Sequence, residues 1–504
     1  MRVLSPIFYL LSAFICLAQP QQAWVQRYNG GFTNQTHMPL AMKLDAAGNI
    51  YVAGSSQNAS NFYDYVVLKY SPNGTQLFAA RYSPTNGGTY PANGFALDQN
   101  GNTYLTGGIL AQGVIGYPNT YVIGNGATVK FDASGQVVWA VPYTGNDVAV
   151  DTNGNVYVTG FSTTQYATAK LNAAGSNVWT RTYVAVTGPA NPVAVSQKVV
   201  VNNVGNVFVA GWADVPPGFV LGGQMTYYSS ATMLMYDGAG DVLWTNKPYS
   251  VGLQWGQIAG LILDDKGDLY VTGNSGDFSY RTSKIDATGQ TIWEEPEFGP
   301  GSHSHGATAI AIDSNYQVYL TGNLFQTIKV AGTNGEVLWQ QYQTSGQANG
   351  IAVNSPDNFY VTGSTNSGAS SNDWETVKYD SNGNQQWVIY YNGTANGNDG
   401  ATAIAVAPDG SIYVTGYSQN TSGGTDITTI KYGNLTNLQK KSDGSIQLQF
   451  FGTPSQSYNF QATTNFVNWT NLGSSLADTN GILEYLDTNA SLFPYRFYRW
   501  YFPP

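Results

Sequence analysis

Apolar and polar residues alternate in short runs along most of the chain, and one run recurs eight times. It combines a polar turn, an alternating apolar segment and a glycine, as in residues 151–160, DTNGNVYVTG. This alternation predicts a half-buried strand, because successive side chains of a strand point to opposite faces. The eight copies end at Gly54, Gly107, Gly160, Gly211, Gly273, Gly322, Gly363 and Gly416. The body of the chain is therefore predicted to be a repeated all-β array.

Each repeat contains four such runs, and the terminal glycines lie 41 to 62 residues apart. This spacing is typical of one four-stranded propeller blade. The first run is rich in small residues, as in 309–313 (AIAID), and a turn with Asp and Gly joins it to the second. The third ends in Lys, as in 127–132 (ATVKFD), and the fourth carries an aromatic residue, as in 135–143 (GQVVWAVPY). Small side chains suit a crowded axis, so the first strand is predicted to be innermost.

The count of runs predicts how the ring closes. Second and third strands occur eight times, but an aromatic fourth strand follows a third strand only seven times. The missing one stands at the front, in residues 24–30 (WVQRYNG), and we expect it to pair with the last third strand, which ends at 430–433 (IKYG). Such pairing removes an exposed sheet edge. The predicted fold is an eight-bladed β-propeller over residues 24–433, closed by an N-terminal strand.

The repeated core, AIAVD, GNVYVTG and then KYD, Gly and Trp, resembles the SBBP-type β-propeller repeat of secreted bacterial proteins over residues 24–433. Because the motif consists of turn and core positions, it indicates a fold more than a function. The family name implies seven blades, whereas the repeats number eight. The turn and tryptophan also look like quinoprotein-type repeats, whose catalytic versions use a quinone, a metal and vicinal cysteines.

From residue 434 the period is lost. Residues 457–475 (SYNFQATTNFVNWTNLGSS) and 493–504 (FPYRFYRWYFPP) alternate like strands. This spacing predicts a small β-sandwich-like domain at 434–504. It is similar to C-terminal modules of secreted proteins of environmental bacteria, and the resemblance implies no activity.

Composition and the N-terminus predict the compartment. Only 10% of residues are charged, against about 25% in typical soluble proteins. The net charge of -10 argues against a nucleic-acid partner, since little basic surface is available to replace counterions. Residues 1–18 carry one Arg and then an apolar run too short to span a membrane, which predicts a secretory signal peptide. We expect a secreted, extracellular or cell-surface protein without a membrane span; a lipid anchor at Cys16, the only cysteine, is the alternative.

Seven third strands end in lysine, which has two interpretations. If Lys130 pairs with Val137, it lies diagonal to Trp139, and a cation–π contact explains it. The alternative is a ring of cations that binds an anion. The seven are Lys69, Lys130, Lys170, Lys284, Lys329, Lys378 and Lys431.

Other polar motifs are interpreted as structural. The turns at Asp98 and Asp151 lack the downstream Glu of a calcium loop and predict hairpin turns. His303 and His305 are weak metal candidates, because two ligands without a third usually lie in a solvated loop. We expect no metal, no cofactor and no catalytic residue, since no catalytic motif is present.

The predicted function rests on the long connections. They lie on one face of the disc, at residues 108–126, 212–230, 250–257 and 364–375, and variable loops on a rigid scaffold usually carry binding. The candidate ligand-binding residues are Trp212, Tyr228, Trp255 and Trp374. We expect a non-catalytic binding or scaffold protein whose ligand is a carbohydrate or a cell-surface protein. The alternative is a propeller enzyme, polysaccharide-active or quinoprotein-like; the oligomeric state is not predicted.

Overall fold

The computed structural model describes most residues of the chain. Among the described residues, whose ranges are given next, the only helical segment is a 3-10 turn at Ala490–Leu492. All other regular structure in these residues is β-strand. The described residues are 20–84, 91–114, 117–123, 126–162, 165–184, 194–215, 220–221, 224–225, 228–247, 257–274, 280–298, 306–355, 358–365, 371–433, 437–451, 457–465, 467–478 and 482–501.

Eight four-stranded antiparallel sheets, the blades, account for most strands, and each runs from an inner strand to an outer one. Blade 1 contains His37–Leu44, Ile50–Gln57, Tyr63–Tyr70 and Gln76–Tyr82. Blade 2 contains Ala92–Leu97, Thr103–Gly107, Thr128–Phe131 and Val137–Val141. Blade 3 contains Asp147–Val150, Val156–Ser162, Gln165–Leu171 and Asn177–Tyr183. Blade 4 contains Ala194–Val201, Val207–Val215, Tyr228–Tyr236 and Val242–Asn246.

The remaining blades repeat this order. Blade 5 contains Gln257–Leu263, Leu269–Asn274, Tyr280–Ile285 and Thr291–Phe298. Blade 6 contains Ala307–Ile312, Val318–Gly322, Thr327–Val330 and Val337–Gln341. Blade 7 contains Gln347–Ser355, Asn358–Thr365, Asp373–Tyr379 and Gln385–Tyr391. Blade 8 contains Asp399–Val406, Ile412–Gln419, Thr425–Gly433 and, from the front of the chain, Gln21–Tyr28.

The blades form a closed ring. The inner strand of each blade contacts the inner strand of the next, and the inner strand of blade 8 contacts that of blade 1. The strands richest in alanine and glycine therefore surround the axis, as the sequence predicted. The larger apolar side chains are buried between neighbouring blades; one such core combines Tyr51 and Tyr65 of blade 1 with Phe95, Leu105 and Val129 of blade 2.

The N-terminal strand closes the ring, which confirms the prediction from the repeat count. Gln21–Tyr28 pairs antiparallel with Thr425–Gly433, and Val25 lies opposite Ile430. Trp24 is buried, and its Nε1 donates a hydrogen bond to the Pro72 carbonyl of blade 1 at 3.1 Å. The junction of the N-terminal strand, the third strand of blade 8 and blade 1 is the seam of the ring.

His37 lies at this seam as a buried, neutral group. Its Nε2 lies 2.9 Å from the Phe32 carbonyl, which only accepts, so Nε2 carries the proton and Nδ1 accepts from the Ser56 hydroxyl at 2.8 Å. Burial lowers the pKa of His37; nearby Arg81 also lowers it, whereas the Phe32 bond and Asp426 raise it.

His37 should make the protein less stable in mild acid. Its lowered pKa means that its contribution is present above the unfolded pKa of about 6.5 and is lost as the pH falls below that value. We expect the difference in unfolding free energy between the wild-type protein and His37→Gln to shrink from about pH 7.5 to about pH 5. Urea denaturation of both proteins across this range checks the result, and a difference that stays constant would contradict it.

Five of the seven third-strand lysines join neighbouring blades. In all seven cases Nζ lies 4.7 to 5.7 Å from the ring centroid of the second-strand Tyr of the same blade. In five blades Nζ and the Nε1 of the outer-strand Trp also donate to one turn carbonyl of the next blade. These carbonyls belong to Pro72, Ala173, Gly238, Gly332 and Ser381. The lysines therefore serve blade packing.

The predicted pairing of Lys130 is wrong in detail. Lys130 lies directly opposite Trp139, because a β-bulge between Lys130 and Phe131 shifts the register of the outer strand. The ring beneath its ammonium group belongs to Tyr104. The bulge inserts one residue that turn length alone does not reveal.

The repeated turns have the predicted hairpin structure. In the turn at Asp151, Oδ1 accepts from the backbone N–H groups of Asn153 and Asn155 at 2.9 and 2.8 Å. Oδ2 accepts from the Asn155 amide and the Tyr157 hydroxyl at 2.8 and 3.0 Å. Gly154 has φ of 77°, the left-handed conformation that glycine adopts readily. Asp98 repeats this pattern with Asn100, Asn102 and Tyr104.

The C-terminal strands form two three-stranded sheets. One contains Asn437–Lys440, Ile446–Phe451 and Ile482–Asp487; the other contains Thr470–Leu476, Ser457–Thr463 and Phe497–Tyr501. Both contribute to one buried cluster, in which Phe450 and Phe460 lie 5.3 Å apart between ring centroids. The definition of residues 434–504 as a separate β-sandwich-like domain stays a prediction.

Candidate functional site in the central channel

Two of the predicted binding residues lie in strands and are buried, so their predicted placement in the long connections is wrong. Trp212 is 3% exposed and Trp374 is 1% exposed. Trp212 follows the repeat glycine, but its strand continues to Val215 and pairs on both sides. Trp374 belongs to the strand Asp373–Tyr379, and its Nε1 donates to the Tyr417 carbonyl of the next blade at 3.0 Å. Both indoles pack within the ring and offer no open face for stacking.

The other candidates are only partly described. Tyr228 is the first residue of the third strand of blade 4 and lies opposite Val215. The structure describes its backbone but not its side chain. Trp255, His303 and His305 lie outside the described residues, and their roles stay predictions. Within the described part of the chain, no group of three or more His, Cys, Asp or Glu side chains is placed to hold a metal ion.

The inner strands of blades 1 to 6 line a cavity of about 470 Å³. Aliphatic side chains such as Leu97, Val150, Leu261 and Ile310 form part of its wall. The charged residues that line it are Lys43 of blade 1, Asp147 of blade 3 and Lys198 of blade 4. We call this cavity the central channel.

Asp147 and Lys198 occupy equivalent positions in neighbouring blades. In every blade one inner-strand residue pairs with the residue that precedes the repeat glycine. Six of the eight residues at this position are Gly or Ala, and only blades 3 and 4 carry a charge. In order, they are Ala41, Gly94, Asp147, Lys198, Gly260, Ala309, Gly350 and Ala403.

Lys43 occupies a second ring of positions, two residues further along the inner strands. It lies opposite Tyr51, and its seven equivalents are small or aliphatic. They are Ala96, Ala149, Val200, Ile262, Ala311, Ala352 and Ala405. The charges of the channel therefore lie on two adjacent levels.

The Asp147 carboxylate is held by backbone groups. Its Oδ2 accepts from the Val199 N–H of the next blade at 3.1 Å, and its Oδ1 accepts from the Val148 N–H at 3.0 Å. Because the ring encloses these groups, desolvation raises the pKa of Asp147, although Lys198 and Lys43 oppose that effect. Desolvation also lowers the pKa of Lys43, an effect that Asp147 opposes, although part of the Lys43 side chain is exposed to solvent. Asp147 therefore interacts electrostatically with both lysines.

The sequence analysis does not predict this cluster, because the small residues of the first runs indicate only an innermost strand. A usable signal exists: among the small, apolar first runs, MKLD (42–45), DVAV (147–150) and QKVV (197–200) carry charges. Their convergence depends on the strand register and on ring closure.

The closed ring of four-stranded sheets defines the protein as a β-propeller, and solved structures agree on this fold. The C-terminal WD40 domain of Sif2 is similar with a TM-score of 0.52 and 10% identity, over 82% of this chain and 99% of its own. A europium-containing methanol dehydrogenase has a TM-score of 0.50 and 12% identity, over 79% and 84%. BamB from Moraxella catarrhalis has a TM-score of 0.47 and 12% identity, over 82% and 100%. At such identities the likeness to the first two structures shows the fold alone.

No family model matches the chain, and no curated protein matches it. The resemblance to SBBP-type repeats therefore stays a prediction. In the described residues no helix has the length and apolar character needed to cross a membrane.

Proposed function

We propose that this protein is a secreted binding or scaffold propeller that acts without catalysis and binds its partner on the face that carries the second-to-third strand connections. One observation carries the proposal: these connections differ widely between blades on a uniform ring. In blade 6 the connection is only the four residues 323–326. In blade 2 it includes a hairpin of Ile109–Val114 and Tyr117–Ile123, and in blade 4 a pair of Val220–Leu221 and Gln224–Met225. Binding residues concentrate on such variable loops when a rigid scaffold positions them.

The polar side chains of the repeats support a non-catalytic role. The repeated lysines and outer-strand tryptophans bond neighbouring blades, and the turn carboxylates bond their own hairpins. The partner that we propose is a carbohydrate or a cell-surface protein, because polar and aromatic loops with little charge suit both. The predicted signal peptide at residues 1–18 supports secretion.

A glycan and cell-surface binding screen with the full chain tests this function. In a variant, the blade 2 connection at 108–126 is replaced by the blade 6 connection NLFQ, residues 323–326. We expect binding to fall at least tenfold with an unchanged melting temperature, since the hairpin lies outside the four-stranded sheet. The control replaces exposed Val204 in the short turn of blade 4 by Ser and should bind normally. Binding that survives the loop exchange, or turnover of a polysaccharide or alcohol panel, would overturn the proposal.

A further inference from the structure

We propose that the central channel binds a small organic monoanion, a carboxylate with an apolar body, between the ammonium groups of Lys43 and Lys198. This site is separate from the partner surface proposed above and does not depend on it. The binding would occur through side chains and unpaired strand edges at the axis rather than through the loops.

The charge balance of the inner strands favours an anion. All eight inner strands are described, and their Asp, Glu, Lys and Arg residues are Lys43, Asp147, Lys198 and Asp399. Asp399 is fully buried and accepts from the Gly393 and Gln419 N–H groups at 2.6 and 3.0 Å. The cavity itself is lined by two lysines, Lys43 and Lys198, and by the single carboxylate of Asp147. The lining therefore has a net charge of one positive unit, and a positively charged cleft with apolar walls attracts an anion.

Blade packing does not require a charged side chain at the position of Lys198. A Cβ atom on Gly94 would lie 2.7 Å from the Asp147 Cα, and one on Gly350 would lie 3.2 Å from the Ala403 Cα. Side chains at this ring position therefore point toward the next blade, where small residues permit close approach. Asp147 uses this direction to reach the Val199 N–H of the next blade. Lys198 supplies a charge where six of its equivalents are Gly or Ala.

The size and lining of the cavity define the ligand class. A volume of about 470 Å³ lies within the range of about 300–1,000 Å³ that is usual for small-molecule sites. Leu97, Val150, Leu261 and Ile310 provide an apolar wall for the body of the ligand. A monoanion matches the one unbalanced positive charge, and ammonium groups bind a carboxylate as point charges without the paired donors of an arginine.

The test is calorimetric titration of the full chain with acetate, hexanoate and benzoate, with benzamide as the uncharged analogue of benzoate. We expect hexanoate and benzoate to bind more tightly than acetate, and benzamide not to bind. Lys198→Gln and Lys43→Gln should each weaken benzoate at least about tenfold, the size expected for one charge-assisted hydrogen bond. Lys440→Gln, at an exposed position of the C-terminal strands, is the matched control and should bind like the wild-type protein.

Asp147→Asn is expected to change the affinity for benzoate in the opposite direction. The amide oxygen keeps an acceptor for the Val199 N–H, while the competing negative charge disappears, so benzoate should bind more tightly than to the wild-type protein. A structural role alone would not give tighter binding in this variant and weaker binding in Lys198→Gln. If none of the three carboxylates binds, if benzamide binds as well as benzoate, or if Asp147→Asn weakens binding, the proposal is wrong. Should Lys198→Gln fail to fold, Lys43→Gln and Asp147→Asn decide the outcome.

Discussion

Removal of residues 1–28 is expected to lower the free energy of unfolding by several kcal/mol, since burial of a core Trp alone is worth about 3–5 kcal/mol. The deletion takes away the outer strand of blade 8 and leaves Thr425–Gly433 as an open edge. It also removes buried Trp24 and the hydrogen bond from its Nε1 to Pro72. Arg27, which forms an ion pair with Asp426 at 3.6 Å, is lost as well. Urea denaturation followed by tryptophan fluorescence measures the effect.

Two controls separate the parts of this loss. Trp24→Phe keeps an aromatic ring but loses the Nε1 donor, so it should be far milder than the deletion. Size-exclusion chromatography should show that the truncated protein associates, because an open strand edge pairs with other chains. A truncated protein that stays monomeric and unfolds at the same urea concentration would contradict closure by this strand.

Trp374→Ala is expected to destabilise the ring by about 3–5 kcal/mol, the range for removing a buried Trp. The indole is 1% exposed and its ring centroid lies 5.0 Å from that of Tyr391. The substitution leaves a cavity between blades 7 and 8 and removes the hydrogen bond from Trp374 Nε1 to the Tyr417 carbonyl. Thermal and urea denaturation measure the loss.

The matched control is Tyr390→Ala in the outer strand of blade 7. Tyr390 is 53% exposed, so its removal should change the stability by less than about 0.5 kcal/mol. If Trp374→Ala kept the wild-type stability and lost only ligand binding, the indole would be a binding residue, as the sequence suggested. Equal losses from Trp374→Ala and Tyr390→Ala would also contradict the packing role.

The fold was predictable from the sequence because each strand has its own local signal. The alternation that ends in Gly160, the Asp and Gly of the preceding turn and the aromatic outer strand are all short-range features. The closing role of Trp24 followed from counting these features. Each repeat also provides the same packing surface to the next, so one correct repeat predicts the others.

The candidate site was harder to predict because burial and register depend on distant residues. The sequence pattern places Trp212 and Trp374 in connections between strands, because a repeat glycine is typical of a strand end. In the structure the strand of Trp212 continues past Gly211, and the strand of Trp374 begins before Glu375. Asp147 and Lys198 are 51 residues apart in sequence and become neighbours only through the pairing of their blades. Single-repeat patterns contain no information about that convergence.

The pairing of Val25 with Ile430 also affects the kinetics of folding. These residues are separated by about 400 positions, and contacts of large sequence separation form late because the intervening chain must first be ordered. Seven blades are built from segments that follow one another, whereas the eighth combines Gln21–Tyr28 with three strands between Asp399 and Gly433. We therefore expect the pairing of Gln21–Tyr28 with Thr425–Gly433 to form in the rate-limiting late step of folding and to open first under force. The lifetime of this pairing should then govern the resistance of the whole ring to proteases.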